Sequence, residues 1–186
     1  MMSTGSTPPS VAKFDAGRAG EYLVQSRIAL AGYDACHELS ACMLAAALGT
    51  GQAARMLAVG AGGGGQEIVS AASLEPGWTF VAVDPSPQMM DVTAGRLNEL
   101  GLIGRAELHI GYVEDLPADR AFDAATLIGV LHHLPGAEAK SAMLAAIAAR
   151  LKRGAPLIVA GNRFAYDAQP LLMAAWAERW RMQGAS

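Results

Sequence analysis

The sequence has few cysteines. Its 186 residues include two, Cys36 and Cys42. These lie six positions apart in a segment predicted to be one helix, so their side chains point in different directions. This spacing fits neither a disulfide framework nor a metal site, and we expect two buried free thiols.

Long runs of like charge are also missing. The formal net charge is −3, and only 17% of the residues are charged. Nucleic acids and anionic membrane surfaces are usually bound through clustered basic residues. We therefore expect neither of them as a partner.

Long apolar runs are missing as well. The Ala-rich stretch 41–48 is far shorter than the ~20 apolar residues that cross a membrane as a helix. Residues 1–10 are rich in Ser, Thr and Pro and lack both parts of a secretion signal, the basic segment and the apolar core. The sequence therefore predicts a cytoplasmic protein, with a flexible leader over residues 1–12 and a single domain over residues 13–186.

Apolar periodicity predicts strands that alternate with helices. Two helices, over 18–32 and 34–48, precede the first strand. The predicted strands are 55–59, 78–83, 106–110, 122–128 and 156–160, and the later helices are 66–73, 86–100 with Ser86 as N-cap, 136–151 and 168–182. Parallel strands need long crossover connections, so this pattern predicts an α/β fold with an open parallel sheet and helices on both faces. Ligands of such sheets bind beyond the carboxyl ends of the strands.

A glycine-rich loop follows the first predicted strand. Gly60, Gly62 and Gly65 match the pattern G-x-G-x-x-G, which lets the backbone approach a nucleotide-like ligand at a helix N-terminus. Asp84 closes the next strand, where a carboxylate can accept hydrogen bonds from ribose hydroxyls. These features leave two ligands open, NAD and S-adenosylmethionine (SAM).

Five segments, in order, resemble the motifs of class I SAM-dependent methyltransferases over roughly residues 54–161. They are LAVGAGGGGQE (57–67), VAVDPSPQMM (81–90), GYVEDLP (111–117), FDAATLIGVLHHLP (122–135) and LKRGAPLIVAG (151–161). One motif would be ambiguous, but five in register are typical of the family. The resemblance implies a Rossmann-like doubly wound sheet with strand order 3-2-1-4-5, SAM as cofactor and S-adenosylhomocysteine (SAH) as product.

The resemblance also implies which residues hold the cofactor. The glycine loop contributes Gly60, Ala61 and Gly62, and the end of the second strand contributes Asp84 and Pro85 at the ribose and Met89 at the adenine. Tyr112 and Val113 cover the adenine edge, while Ile128, Gly129 and Val130 lie beside the methionine part and the reactive methyl group. The segments 31–33 and 163–167 are similar to those of carboxy-SAM synthases, which implies that Tyr33 reaches the cofactor.

Two positions depart from the family pattern. Ala58 stands where the family usually has an acidic residue that helps to hold the cofactor's amino group, and Glu67 is the candidate replacement. The alternative is that Glu67 is a solvated acid whose charge suits a helix N-terminus. Tyr112 stands where relatives often have an Asp that accepts from the adenine amino group, although the N–H of Val113 can still reach adenine.

His132 and His133 are the candidate catalytic residues. They follow the fourth strand, and an imidazole has a pKa suited to removing a proton from a hydroxyl or phenol acceptor. The alternative is a structural turn in which both histidines cap or pack. We expect His37 and His109 to be structural, and we expect no metal, because adjacent histidines do not converge on one ion.

The end of the chain departs from the family as well. Family members normally continue into two more strands, which this sequence lacks, so the fifth strand is expected to be an edge that a homodimer could cover. In the last predicted helix, Leu172, Ala175, Trp176 and either Arg179 or Trp180 share one face. We expect this face to be buried, against a missing segment or a partner subunit.

Taken together, these features predict an enzyme, a SAM-dependent methyltransferase of an unidentified small molecule. A SAM-binding or nucleoside-binding protein without turnover is the alternative, indicated by Ala58 and the missing strands. A NAD-dependent oxidoreductase is a third hypothesis. The glycine pattern favours it, but the sequence offers no Tyr-Lys pair for hydride transfer.

Overall fold

The computed structural model describes residues 21–162 and 168–184. Its helices are α1 (Tyr22–Ala29), α2 (Tyr33–Leu48), α3 (Gln66–Leu74), α4 (Pro87–Glu99), α5 (Gly136–Arg150) and α6 (Pro170–Met182). Its strands are β1 (Ala54–Val59), β2 (Trp78–Asp84), β3 (Ala106–Ile110), β4 (Ala124–Ile128) and β5 (Leu157–Ala160). The predicted leader and the segment 163–167 lie outside the described residues.

The five strands form one parallel sheet in the order β3-β2-β1-β4-β5. In the centre, Leu57 of β1 lies opposite Val81 of β2 and Ala125 of β4. The predicted fold class and strand order are confirmed. Strand β5 is an edge of this sheet, as expected, and the homodimer that would cover it stays a prediction.

Both faces of the sheet are covered, which is why β1 and β2 are apolar at almost every position. Met56 and Phe80 pack into the core on one face, together with Leu44 of α2, Ile68 of α3 and Leu97 of α4. On the opposite face, residues that include Leu57, Val81, Leu127 and Ile147 form a second core. The two cores hold the carboxyl ends of the strands in place.

Most element boundaries agree with the sequence prediction. The N-cap of α4 is Ser86, whose hydroxyl accepts the N–H of Met89 at 3.3 Å. The first helix ends at Ala29, earlier than predicted, because Leu30 is extended (φ −111°, ψ 102°). Gly32 then takes a left-handed conformation (φ 78°) that reverses the chain into α2.

The prediction of two buried thiols is wrong. Both cysteines are free, but Cys42 is exposed and Cys36 is only half-buried. The buried face of α2 consists of His37, Ser40, Ala41, Leu44 and Ala45. Both cysteines lie outside this buried face. The helix is apolar as a whole, and this led the sequence prediction to place them in the core.

Helix α6 packs against α1. The indole Nε1–H of Trp176 donates to the carbonyl of Ala29 at 2.9 Å. The Arg179 guanidinium donates to the carbonyls of Ile28 (2.6 Å) and Arg27 (2.7 Å). The last carbonyls of a helix have no partner inside it, so these donors cap α1.

The predicted buried face of α6 is corrected in part. Trp176 and Trp180 are half-buried and pack edge to face with ring centroids 5.7 Å apart, but Leu172 is 59% exposed. Packing on α1 covers only one side of the helix. Within the described ranges, no helix is both long enough and apolar enough to cross a membrane.

Candidate functional site

A cavity of about 150 Å³, open to solvent, lies beyond the carboxyl ends of β1, β2 and β4. We call it the first cavity. Several predicted site residues line it: Gly60, Gly62, Asp84, Pro85, Met89, Tyr112, Val113, Ile128, Gly129, Val130 and His133. Ala61, Glu67, Tyr33 and His132 do not.

The glycine loop passes close to two neighbouring segments. Gly60 has φ +74°, and a Cβ there would lie 2.1 Å from Cγ2 of Val130. A Cβ on Gly62 would lie 2.5 Å from Oδ2 of Asp84. Larger residues at these positions would push the loop away from Asp84 and Val130.

Asp84 ties the loop to the end of β2. Its Oδ2 accepts the N–H of Gly62 at 3.0 Å, and its Oδ1 accepts the N–H of Ser86 at 2.8 Å. Burial raises the pKa of Asp84, while these two N–H donors act in the opposite direction. Each carboxylate oxygen still has a lone pair for a ligand hydroxyl.

The other walls of the first cavity are mainly apolar. Met89 and Val113 are buried, and Tyr112 lies 46% exposed at the rim. Asp115 accepts the backbone N–H of Tyr112 at 2.7 Å and shapes this loop. Val113 begins the 3₁₀ turn Val113–Asp115, so its own N–H is not used within that turn.

These residues suit the adenosyl part of SAM. A flat base needs apolar walls with a few fixed polar groups, and a ribose needs an acceptor for its hydroxyls. The first cavity offers both, with the close backbone approach of the glycine loop beside them.

Sequence reasoning missed several residues of the first cavity, among them Tyr22, Ser86, Leu134 and Met143. Tyr22 comes from α1, and its ring packs against the glycine loop. A Cβ on Gly63 would lie 2.2 Å from its Cδ1 atom. No local pattern marks Tyr22, whereas Ser86 could have been found from its N-cap position beside Asp84.

A second cavity, of about 250 Å³, shares the lining residues Ile128 and Gly129 with the first. Its lining residues come from the α1–α2 connection, α2 and the ends of β4 and β5: Leu30, Ala31, Gly32, Tyr33, Cys36, His37, Ile128, Gly129, His132, Ala160, Gly161 and Asn162. The predicted residues Tyr33 and His132 are therefore together, but on a different side from Asp84.

The two candidate catalytic histidines lie in different cavities. Their rings are in contact, with centroids 4.0 Å apart and planes tilted by 43°, yet His133 lines the first cavity and His132 the second. Burial, with the nearby His133 and Lys140, lowers the pKa of His132 to about 4. The lowered pKa makes His132 a weaker base than a free imidazole, and the catalytic role of both histidines stays a prediction.

Glu67 lies behind the glycine loop. Its Oε2 is 3.9 Å from Nε2 of His37, and its side chain is only 10% exposed. Burial raises the pKa of Glu67 to about 7, with a further contribution from the charge of Asp84. The alternative of a solvated acid is therefore wrong.

Ala58 lines the same small space as Glu67 and His37. His37 places Nδ1 2.8 Å from the carbonyl of Tyr33. A carbonyl only accepts, so Nδ1 carries a proton and Nε2 faces Glu67.

Ala61 is buried, and its carbonyl accepts the hydroxyl of Thr93 at 2.8 Å.

Comparison with known proteins places these features in a family. The family profile described as methyltransferase domain matches residues 57–157. No curated protein sequence matches the chain. A Methanococcus maripaludis structure assigned as a SAM-dependent methyltransferase is similar with TM-score 0.68 and 17% identity, covering 96% of this chain and 76% of that one.

Two further structures match a smaller part. The [4+2]-cyclase SpnF is 26% identical with TM-score 0.55, covering 66% of this chain and 43% of that one. A SAM-dependent methyltransferase from Thiobacillus denitrificans, in complex with SAH, is 23% identical with TM-score 0.50, covering 64% and 46%. The chain thus spans less than half the length of these two proteins.

The family profile covers more than half of the chain, and the glycine loop, Asp84 and the strands β2, β3 and β4 fall within the matched region. The chain belongs to the class I SAM-dependent methyltransferase family, whose cofactor is SAM.

Proposed function

We propose that this chain transfers a methyl group from SAM to a small-molecule acceptor. The observation that carries the proposal is the convergence of the glycine loop, Asp84 and the end of β4 on the first cavity. When bound, SAM supplies a methyl carbon that the acceptor's lone pair attacks while the carbon–sulfur bond breaks. The protein's contribution is to hold both partners in line and away from water.

In this proposal, different residues of the first cavity bind different parts of the cofactor. Asp84 accepts the ribose hydroxyls, and Met89 with the Tyr112–Val113 pair covers the adenine. Gly60 and Gly62, with the segment 128–130, hold the methionine part. Ala61 stabilises the conformation of the glycine loop, and Pro85 that of the segment that follows β2.

Glu67 stabilises the cofactor's amino group from behind the loop in this proposal. Ala58 has no charge to offer, and Glu67 lies in the space next to it. A cationic amino group nearby would favour the ionised carboxylate over the protonated one. In this proposal Tyr33 reaches the cofactor from the second cavity, past Ile128 and Gly129, which line both cavities.

His132 and His133 position the acceptor in this proposal. The attacking hydroxyl becomes more acidic as its oxygen forms the bond to the methyl carbon, so a strong base is not required. A neutral imidazole can still accept a hydrogen bond from the acceptor.

Binding of SAM without methyl transfer is the second candidate function. The chain is 26% identical to SpnF, a [4+2]-cyclase, over 66% of its length, and it has Ala58 in place of an acidic residue. Incubation with SAM carrying a labelled methyl group, together with a panel of small acceptors, separates the two. Release of SAH with label on an acceptor supports transfer, and unchanged SAM throughout the panel favours the second candidate.

Calorimetric titration with SAM, SAH and NAD in parallel tests the cofactor assignment. We expect SAM and SAH to bind with dissociation constants of about 1–100 μM, or roughly −8 to −5.5 kcal/mol, and NAD not to bind. Binding of NAD alone, or of none of the three, would contradict the proposal.

A further inference from the structure

We propose that the second cavity is the acceptor site and that it selects an uncharged aromatic molecule. The inference rests on the proposed function, because it takes the first cavity as the place of the cofactor. It adds the chemical class of the acceptor, which the family assignment leaves open.

The position of the second cavity is the first argument. Ile128 and Gly129, at the end of β4, line both cavities. A ligand in the second cavity can therefore contact the same two residues as a cofactor in the first. Displacement at a methyl carbon requires a direct approach of the two partners.

The charges around the second cavity are the next argument. None of the described residues that line it is Asp, Glu, Lys or Arg. Of the ionic groups around it, Arg27 pairs with Asp34 at 2.7 Å, Glu67 lies 3.9 Å from Nε2 of His37, and Lys140 is close enough to lower the pKa of His132. A charged acceptor would find no counterion among the lining residues, and desolvating it without one costs far more than burying a neutral ring.

The shape and composition of the wall favour a ring. The rings of Tyr33 and His37 lie with centroids 4.4 Å apart and planes tilted by 49°. The other sides consist mainly of small residues, namely Ala31, Gly32, Gly129, Ala160 and Gly161. Aromatic faces prefer offset or edge contacts with another ring, and the small residues leave room for one.

The ring of His132 offers a polar contact. Its buried Nδ1 has no hydrogen-bond partner. An unpaired buried nitrogen is unfavourable, and a hydroxyl or N–H donor on the acceptor would satisfy it after a turn of the imidazole. A phenol combines the required features, since it is flat, uncharged at neutral pH and a donor.

The two cysteines of α2 provide the test. Cys36 lines the second cavity, whereas Cys42 is exposed on the same helix and lies outside it. Labelling of each thiol by iodoacetamide, followed by mass spectrometry, reports occupancy of the cavity in the wild-type chain. Cys42 is the internal control for changes in the reagent or in folding.

The probes are three phenols that differ in charge: 4-ethylphenol, the cationic tyramine and the anionic 4-hydroxyphenylacetate. Binding of SAH is measured first by calorimetry, and failure at that step counts against the proposed function. On the SAH-loaded chain we expect 4-ethylphenol to slow labelling of Cys36 by about 5-fold or more and to leave Cys42 unchanged. The charged phenols should need at least about 10-fold higher concentrations, because each loses hydration without gaining a counterion.

Protection by either charged phenol at the same or a lower concentration would overturn the choice of an uncharged acceptor. Protection of Cys36 by none of the probes, with SAH bound, would overturn the assignment of the cavity.

A cavity-filling variant checks the result independently of thiol chemistry. We expect Cys36→Trp to abolish heat of binding of 4-ethylphenol and to change SAH affinity less than about 3-fold, while Cys42→Trp changes neither. Retained phenol binding in Cys36→Trp would also overturn the assignment.

Discussion

The two cavities meet at the end of β4 but are built in different ways. The first is formed by loops that directly follow β1 and β2, and hydrogen bonds from Gly62 and Ser86 to Asp84 hold these loops together. The second is formed where the α1–α2 connection packs over the ends of β4 and β5. The geometry of the first cavity is thus set by the sheet, whereas that of the second depends on how the helices pack on the sheet.

This difference explains how one fold can keep its cofactor and change its acceptor. Residues on strand ends keep their geometry because the sheet is buried on both faces. Helices and connections at the surface can vary without disturbing the strands. The following variants separate the two sides.

Asp84→Asn should remove most of the cofactor affinity. The amide has a single acceptor oxygen and would turn its NH₂ group toward an N–H donor or a ribose hydroxyl. Hydrogen bonds to a charged group are worth about 1.5–3 kcal/mol each, so we expect SAH affinity to fall about 100-fold or more. Calorimetry measures it, with the exposed Asp91→Asn on α4 as control. A loss of less than about 3-fold in Asp84→Asn would show that the first cavity is not the ribose site.

Glu67→Gln tests the buried carboxyl group behind the glycine loop. The folded pKa of Glu67 is about 7 and the unfolded value is 4.5. Its contribution to stability is therefore fully present below pH 4.5 and is lost as the pH rises through 7. The loss is about 3 kcal/mol at most, taking about 1.4 kcal/mol per pKa unit.

Urea unfolding at pH 5 and pH 8 measures this effect. We expect the wild type to lose stability between these values relative to Glu67→Gln, which cannot ionise. His37 and Asp84 titrate in both proteins, so the difference between them isolates Glu67. Glu99→Gln, at an exposed position of α4, should behave as the wild type; equal slopes in all three proteins would contradict the buried position of Glu67.

Arg179→Met should loosen the helical side of the site. The variant removes two hydrogen bonds to the last turn of α1. We expect a loss of about 1–2 kcal/mol in the free energy of unfolding and faster amide exchange in α1. Arg181→Met, on the same helix but exposed and paired with Glu178, should cost less than about 0.5 kcal/mol. Similar losses in both variants would argue against capping of α1.

Gly95→Ala should give the smallest effect, and a favourable one. Gly95 lies inside α4, and a Cβ there would meet nothing within 4 Å. Alanine is the better helix former, so we expect a gain of about 0.5–1 kcal/mol in thermal or urea unfolding. Gly62→Ala is the contrasting change, because its Cβ would collide with Asp84, and it should lower both stability and SAH affinity. A stabilising Gly62→Ala would show that the loop does not need its close approach to Asp84.

The parts of the site that were predictable are those with a local signature. The glycine loop and Asp84 were found because a strand, a turn and a helix N-terminus leave a pattern over a few residues. Ser86 was found as an N-cap for the same reason, although its place in the first cavity was not. Tyr22 was missed because an aromatic residue on an amphipathic helix carries no sign of which neighbour it will meet.

Five parallel strands, the glycine loop and the position of Asp84 could be inferred from the sequence, because each depends on residues close together in the chain and on a repeating apolar pattern. Three-dimensional packing decided that His132 and Tyr33 share one cavity while His133 lines the other, and that Glu67 meets His37. It also decided that Arg179 caps a helix 151 positions earlier in the chain. Contacts of this kind join distant segments, and their geometry comes from the packing of helices on the sheet, which periodicity alone does not encode.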